Sequence, residues 1–397
     1  IDYSIELLAE EESKLLAELV ELTHGKIKST RQRNVTLKYL EEHGIYSEKL
    51  GKDNVDDLLK INMPPEARRV LEIRQILGKS SVSKLDSMKA YCGPDNRVRG
   101  TIMYYGANTG RFSGKGIQPH NFPRGKHDEA FFNKTTDIGN VHKTVSDNLR
   151  GFLIAKEDQT LFVGDFAAIE ARVLFWVAEH TVGVDMYTNN MDLYIDMAAR
   201  VYGVNPNTLN KKSPERFLGK QIILGCGYGM GPNKFHATCI KNKIDINENM
   251  AAMAVGTYRD THKKIPAFWH ACERAAIKAV KNPGEVVSVN KYICFSKRKD
   301  WLFCKLPSGR YISYFKPEVK ENKLSYMGVN SVTKTFGMQD TYGGRIVENL
   351  VQGISRDLLV ESMVGLESNG FKVIATVHDE IICEVKDRDL KEFERLM

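Results

Sequence analysis

Apolar positions along the first hundred residues recur at helical spacing. Leu7, Leu8, Leu15, Leu16, Leu19 and Leu22 lie three or four apart, so residues 1–23 are predicted as one helix, with Gly25 where a C-cap falls. A basic loop carrying Lys26, Lys28, Arg31 and Arg33 follows, then a helix through Leu37 and Leu40 that stops near Gly44. Pro64-Pro65 introduces a further helix from Glu66 to about Leu77. The pattern changes near residue 100. Gly106 to Arg124 is rich in Gly, Asn, Pro and Ser, which is loop chemistry. Residues 161–164 (Leu-Phe-Val-Gly) read as a short apolar strand ending in Asp165. Residues 190–290 read as mostly helical, with a Gly-rich interruption at 225–231. Residues 371–377 and 380–386 form two apolar runs around His378-Asp379, the signature of a hairpin.

A chain of 397 residues is too long for one ordinary core, so two or three packed subdomains are expected. Hydrophobic content of 42% and charged content of 27% are those of a soluble globular protein. The net charge of +7 is compatible with a phosphate-bearing partner and equally with a slightly basic enzyme. Seven cysteines (92, 226, 239, 272, 294, 304 and 383) are scattered without a C-x-x-C pair, so reduced thiols in a cytosol are expected, and neither a zinc ribbon nor a redox motif. No apolar run is long enough to span a bilayer, and no signal peptide is visible. Ile1 opens the chain without Met, which leaves room for residues upstream.

Two acids stand out against this background. Asp165 and Asp379 each terminate an apolar strand, and strand ends distant in sequence can meet on one sheet. Alone, either acid reads as a turn residue. Together they match what Mg²⁺ takes: few protein carboxylates, with water and phosphate oxygens completing its shell. Arg216, Lys220, Leu224 and Tyr228 lie four apart and share one helix face, with cations to meet a triphosphate and flat groups to meet base and sugar. A competing reading treats Gly225-x-Gly227-x-Gly229 as a dinucleotide loop with Asp245 about 20 residues on, but Met230 occupies the third fingerprint glycine. Gly78-Lys79-Ser80 is no P-loop, because Ile73 replaces its first glycine.

These segments resemble DNA polymerase family A, the polymerase I type. Asp165-Phe-Ala-Ala-Ile-Glu-Ala-Arg172 is similar to its motif A, D-Y-S-x-I-E-x-R; Val377-His378-Asp379-Glu380 to motif C, V-H-D-E; and Arg216 to Tyr228 to motif B. The resemblance implies that Asp165 and Asp379, with the backbone carbonyl of Phe166, hold two Mg²⁺ ions (Mn²⁺ as substitute). It implies that Glu170 screens the sugar 2′ position. Arg216 and Lys220 bind the incoming triphosphate, Lys220 serves as general acid for pyrophosphate, and Tyr228 stacks near the templating position. Leu224 stands where the family has Phe or Tyr, and Tyr194, in Asp192-Leu-Tyr194, where it often has a phosphate-touching His.

Further stretches resemble the family's primer–template contacts. Thr109-Gly-Arg111-Phe-Ser113 is similar to T-G-R-L-S, and Gln118-Pro-His-Asn121-Phe-Pro123 to N-L-Q-N-I-P. Asn349-Leu-Val-Gln352 with Arg345 upstream resembles the segment nearest the terminal pair, His378 lies beside the primer terminus, and Lys79-Ser80 resembles the K-S-T that grips duplex phosphates. The implied architecture is α+β, a right-hand polymerase fold: a helical thumb at 1–100, an antiparallel-sheet palm at 101–180 and 335–397, and helical fingers at 181–334. The implied partners are primer–template DNA and deoxynucleoside triphosphates, for a monomer with room for a replication accessory factor. The wording of motif B and of Tyr342-Gly-Gly-Arg345 is nearest to a bacteriophage branch, which implies the cytoplasm of a bacterial host. A proofreading domain would precede residue 1.

Overall fold

The computed structural model describes residues 1–78, 83–123, 125, 128–135, 138–330 and 333–396. Lys79 and Ser80 lie outside the described residues. The chain divides into two compact units, one of residues 1–103 and 113–161, the other of residues 104–112 and 162–397.

The first unit is helical. α1 (Asp2–Leu22), α2 (Arg33–Glu42), α3 (Lys52–Leu58), α4 (Pro65–Leu77) and α5 (Ser83–Tyr91) follow one another. The periodic leucines of α1 work as predicted, with Leu8, Leu15 and Leu19 buried. α4 starts with Pro65 inside its first turn, where a missing N–H costs nothing. After α5 come two-residue strands β1 (Ile102–Met103) and β2 (Ser113–Gly114), paired antiparallel, and short helices α6 (Glu129–Phe132) and α7 (Val141–Asp147). Leu85, Ile117, Phe122, Phe131 and Leu149 pack into a core under these loops.

β3 (Gln159–Asp165) enters the second unit at Phe162 and leads through a left-handed Ala168 (φ 53°) into α8 (Ile169–Val177). Helices α9 (Thr181–Thr188), α10 (Leu193–Tyr202), α11 (Pro214–Cys226), α12 (Pro232–Lys241), α13 (Glu248–Thr261) and α14 (Lys264–Lys281) build the main core with α8. The expected helical character of 181–334 holds to Lys281 and then gives way. β4 (Val286–Ser288), β5 (Cys294–Arg298), β6 (Trp301–Lys305), β7 (Tyr311–Lys320), β8 (Lys323–Val329) and β9 (Phe336–Thr341) form a six-stranded antiparallel meander. Burial alternates along β6, where Leu302 and Cys304 are buried and Trp301 and Lys305 exposed, the period-two pattern of a sheet with one packed face.

The long helix α15 (Gly343–Ser368) then runs to the hairpin of β10 (Lys372–Val377) and β11 (Glu380–Lys386), and α16 (Leu390–Leu396) closes the chain. A Cβ at Gly343 would stand 2.2 Å from the Trp269 carbonyl, and one at Gly344 2.2 Å from that of Tyr228. The two glycines therefore let the start of α15 lie against α14 and the turn after α11. The second sheet has the order β10-β11-β3, so the predicted hairpin lies beside the strand bearing Asp165. Among the described residues, no helix is long and apolar enough to cross a membrane. The cysteines are free, and five of the seven are buried. Burial pushes the Cys226 thiol up to about 12, the behaviour of a small core residue.

Candidate active site

β3 and the β10–β11 hairpin bring the two acids together. The hairpin turns within two residues, with His378 in a left-handed conformation (φ 58°), which leaves Asp379 at its tip. The amide of Phe166, the residue after Asp165, donates to the carbonyl of Asp379 at 3.3 Å. Asp165 is exposed and Asp379 half-buried, so both carboxylates keep access to solvent. Among the described residues, no group of three or more His, Cys, Asp or Glu could hold a metal. Two carboxylates with a backbone carbonyl such as that of Phe166 would offer only hard oxygen donors and leave positions for water or phosphate, the chemistry that suits magnesium.

Arg111 joins this site from the 104–112 loop. It shares a narrow cleft with Ser355, Arg356, His378 and Asp379, and its guanidinium pairs with Glu170 at 2.7 Å. Glu170 sits in the first turn of α8, five residues after Asp165. The phenol of Tyr228 is pushed well above its usual range by burial, with the nearby Glu170 and Glu348 carboxylates adding to the effect. Burial also pushes the Glu348 carboxyl up, with Glu170 adding. Arg111, Glu170, Tyr228 and Glu348 thus form one cluster beside the acid pair. The sequence reading missed Glu348. It lies three residues after Arg345 on α15, a helical spacing that would have put it on nearly the same face.

α11 presents the triphosphate candidates. Leu218, Gly219, Ile222 and Ile223 are buried, which turns the Arg216, Lys220 and Leu224 face outward; Leu224 is 40% exposed. Helix, not strand, precedes the glycine run, because Gly225 lies inside α11, and this removes the dinucleotide-loop reading. Arg216 is held by Asp192 at 2.8 Å and lies over the ring of Tyr194, 5.1 Å from its centroid. Asp192 also caps α10, accepting from the amides of Tyr194 and Ile195. A Cβ at Gly219 would come within 2.0 Å of the Tyr194 carbonyl, so glycine lets α11 lie directly against α10. At the other end of α11, the Trp269 indole donates to the Gly227 carbonyl at 2.8 Å.

The remaining candidates lie on α15, in the hairpin turn and in the first unit. Gln352 accepts from Thr109 at 3.4 Å, while the Asn349 amide donates to the buried Tyr314 hydroxyl at 3.1 Å. Arg345 lies in the first turn of α15 and His378 is exposed. Gln118 and Asn121 belong to the first unit, where the Asn121 amide donates to Gln118 at 2.9 Å.

The known proteins that this chain resembles agree with one another. The POL domain of Pol1 from M. smegmatis, solved in complex with DNA primer-template and dNTP, superposes with a TM-score of 0.65 over 100% of this chain and 61% of that one. At 15% identity this likeness shows a shared fold, and the expected α+β polymerase architecture is borne out. The sequence profile of DNA polymerase family A matches residues 4–297, and the chain belongs to that family. A DNA polymerase of Bacillus phage SP02 is 34% identical over 369 residues, 88% of this chain and 56% of the relative. DNA polymerase I of Streptococcus pneumoniae (strain ATCC BAA-255 / R6) is 21% identical over 99% of this chain and 40% of its own length. The chain thus spans about half the length of these relatives.

Proposed function

We propose that this chain is the polymerising part of a DNA polymerase. It extends a primer 3′-hydroxyl on a DNA template with deoxynucleoside triphosphates and releases pyrophosphate. The observation that supports this reading is the backbone hydrogen bond from the Phe166 amide to the Asp379 carbonyl, which joins the end of the strand bearing Asp165 to the tip of the hairpin bearing Asp379.

Asp165, Asp379 and the Phe166 carbonyl hold divalent cations, magnesium by their donor chemistry. Two such ions supply the charge that activates the 3′-hydroxyl and steadies the leaving pyrophosphate. Arg216 and Lys220 receive the triphosphate, Arg216 exchanging its Asp192 contact for phosphate oxygens, and Lys220 donates a proton to pyrophosphate as it leaves. Glu170, fixed by Arg111, closes the space a ribose 2′-hydroxyl needs. Tyr228 stacks near the templating base, and Leu224 and Tyr194 border the nucleotide. Arg111, Gln118, Asn121, Arg345, Asn349, Gln352 and His378 contact primer–template, with Lys79 and Ser80 on duplex phosphates. Catalysis on this reading is mainly positioning and charge stabilisation. We place the thumb, palm and fingers at the boundaries given above, and the protein in a phage-infected bacterial cytoplasm.

The test is primer extension by Asp379→Asn with magnesium and all four deoxynucleotides. Extension falls at least about a thousandfold while duplex binding persists. Extension at the wild-type rate would overturn the proposal.

A further inference from the structure

The six-stranded sheet has one face against α14 and another turned outward. Its register aligns Arg298 with Trp301, Trp301 with Phe315, Phe315 with Met327, and Met327 with Met338. One row of outward side chains therefore crosses five adjacent strands, about 19 Å at the usual strand spacing. Trp301 and Phe315 have ring centroids 4.7 Å apart. Two residues along, Phe303 and Tyr311 make a second aromatic contact at 5.9 Å. This face is open: Trp301 is 40% exposed, Tyr311 43% and Met338 47%.

Charge gathers on the same element. Residues 286–341 contain ten Lys or Arg against four Asp or Glu, a net of six positive charges, where the whole chain carries +7. Arg298 ends the aromatic row, Lys305 pairs with Tyr311 across β6 and β7, and the Lys316 ammonium lies 5.4 Å from the Phe315 ring centroid. An uncharged apolar face would suit a protein partner. Flat rings in a row, rimmed by exposed cations, suit unstacked bases on a phosphate backbone, because every base offers a π-face and every linkage a negative charge.

We propose that the outer face of this sheet binds single-stranded DNA, bases stacking on Trp301 and Phe315 and phosphates meeting Arg298, Lys305 and Lys316. The choice of DNA rests on the proposed function; the surface chemistry does not.

The test titrates the full chain with fluorescein-labelled (dT)12, reading anisotropy and tryptophan emission. The wild type binds with quenching, and Trp301→Phe loses most of the quenching while keeping affinity within a few fold. The Trp301→Ala/Phe315→Ala pair binds about tenfold more weakly. The triple variant Arg298→Gln/Lys305→Gln/Lys316→Gln alters only exposed side chains and so leaves the fold intact. Its plot of log affinity against log salt is shallower by about two. Binding of a blunt duplex is unchanged in both. Wild-type (dT)12 binding by the pair and the triple variant overturns the site, as does a face whose variants lose only self-association of the chain. If (dT)12 binds as described but no primer is ever extended, the polymerase proposal fails and the sheet site stands; extension with indifferent variants sinks the sheet site alone.

Discussion

The guanidinium of Arg111 closes on the carboxylate of Glu170 at 2.7 Å, both side chains less than one third exposed. The pair joins a residue proposed to touch the primer–template to one proposed to screen the incoming sugar. Replacing Glu170 by Ala opens the space beside the sugar, and ribonucleotide discrimination falls by about 10–100-fold. Arg111→Ala leaves Glu170 without its cation, so it raises nucleotide KM as well as weakening DNA binding. A double-mutant cycle on nucleotide KM reads the coupling, expected at about 1 kcal/mol; zero coupling means that the contact does not reach the nucleotide.

Asp192 does two jobs that one substitution can separate. Its carboxylate caps α10 and holds Arg216. Asp192→Asn keeps an oxygen for the cap and loses most of the hold, so folding stability stays within about 0.5 kcal/mol while nucleotide KM falls two- to fivefold. Asp192→Ala loses the cap too, at about 1 kcal/mol. Arg216→Ala raises KM. Steady-state kinetics with urea unfolding separates these outcomes; a higher KM for Asp192→Asn would mean that Asp192 orients Arg216 for the nucleotide.

The loop that carries Arg111 depends on a buried cation far away in sequence. Arg356, 6% exposed, donates from Nε to the Gly110 carbonyl at 3.1 Å and stacks against Tyr104 and Phe112, with centroids 5.0 and 5.5 Å away. Arg356→Ala removes both supports and costs about 2–3 kcal/mol in urea unfolding. Lys does not rescue it, since an ammonium reproduces neither the planar stacking nor the Nε geometry. Extension at a temperature where the variant is folded still falls, because Arg111 loses its placement. Full activity there would limit Arg356 to stability.

The acid pair was legible in the sequence because each member ends a short apolar run, and strand ends are where a sheet gathers side chains from distant segments. Arg216 and Lys220 were legible because helical spacing alone puts them on one face. Arg356 and Gly110 were not, since their contact spans 246 residues and neither carries a local signal. Asn349 matched a DNA-contacting segment by its neighbours, but its amide engages Tyr314, a partner supplied by β7. The six-stranded sheet stayed hidden because the bulge in its longest strand, between Phe315 and Glu318, breaks the alternation. The glycines of Tyr342-Gly343-Gly344 were visible only as letters; the carbonyls of Trp269 and Tyr228 above them give the reason for both.

Two buried histidines tie stability to pH on the acid side. The Gly183 amide donates to His180 Nδ1, which places the ring proton on Nε2, 3.1 Å from His262 Nδ1. Burial holds His262 down at about 3, with the neighbouring His180 adding, and burial lowers His180 as well. Both rings therefore stay neutral in the fold, whereas the unfolded chain takes up protons below about 6.5. The stability that depends on neutrality is complete above pH 6.5 and is lost as the pH falls from 6.5 towards 3. The limiting slope is about 1.4 kcal/mol per pH unit for each ring. His262→Phe keeps an aromatic ring against Phe175 and Tyr258, whose centroids lie 5.1 and 4.9 Å from the imidazole, and removes one titrating group. Its free energy of unfolding in urea is lower at pH 7, because His180 loses its acceptor. Between pH 6.5 and pH 5 it falls by about 2 kcal/mol less than that of the wild type, and parallel curves would show that His262 is not the group that titrates.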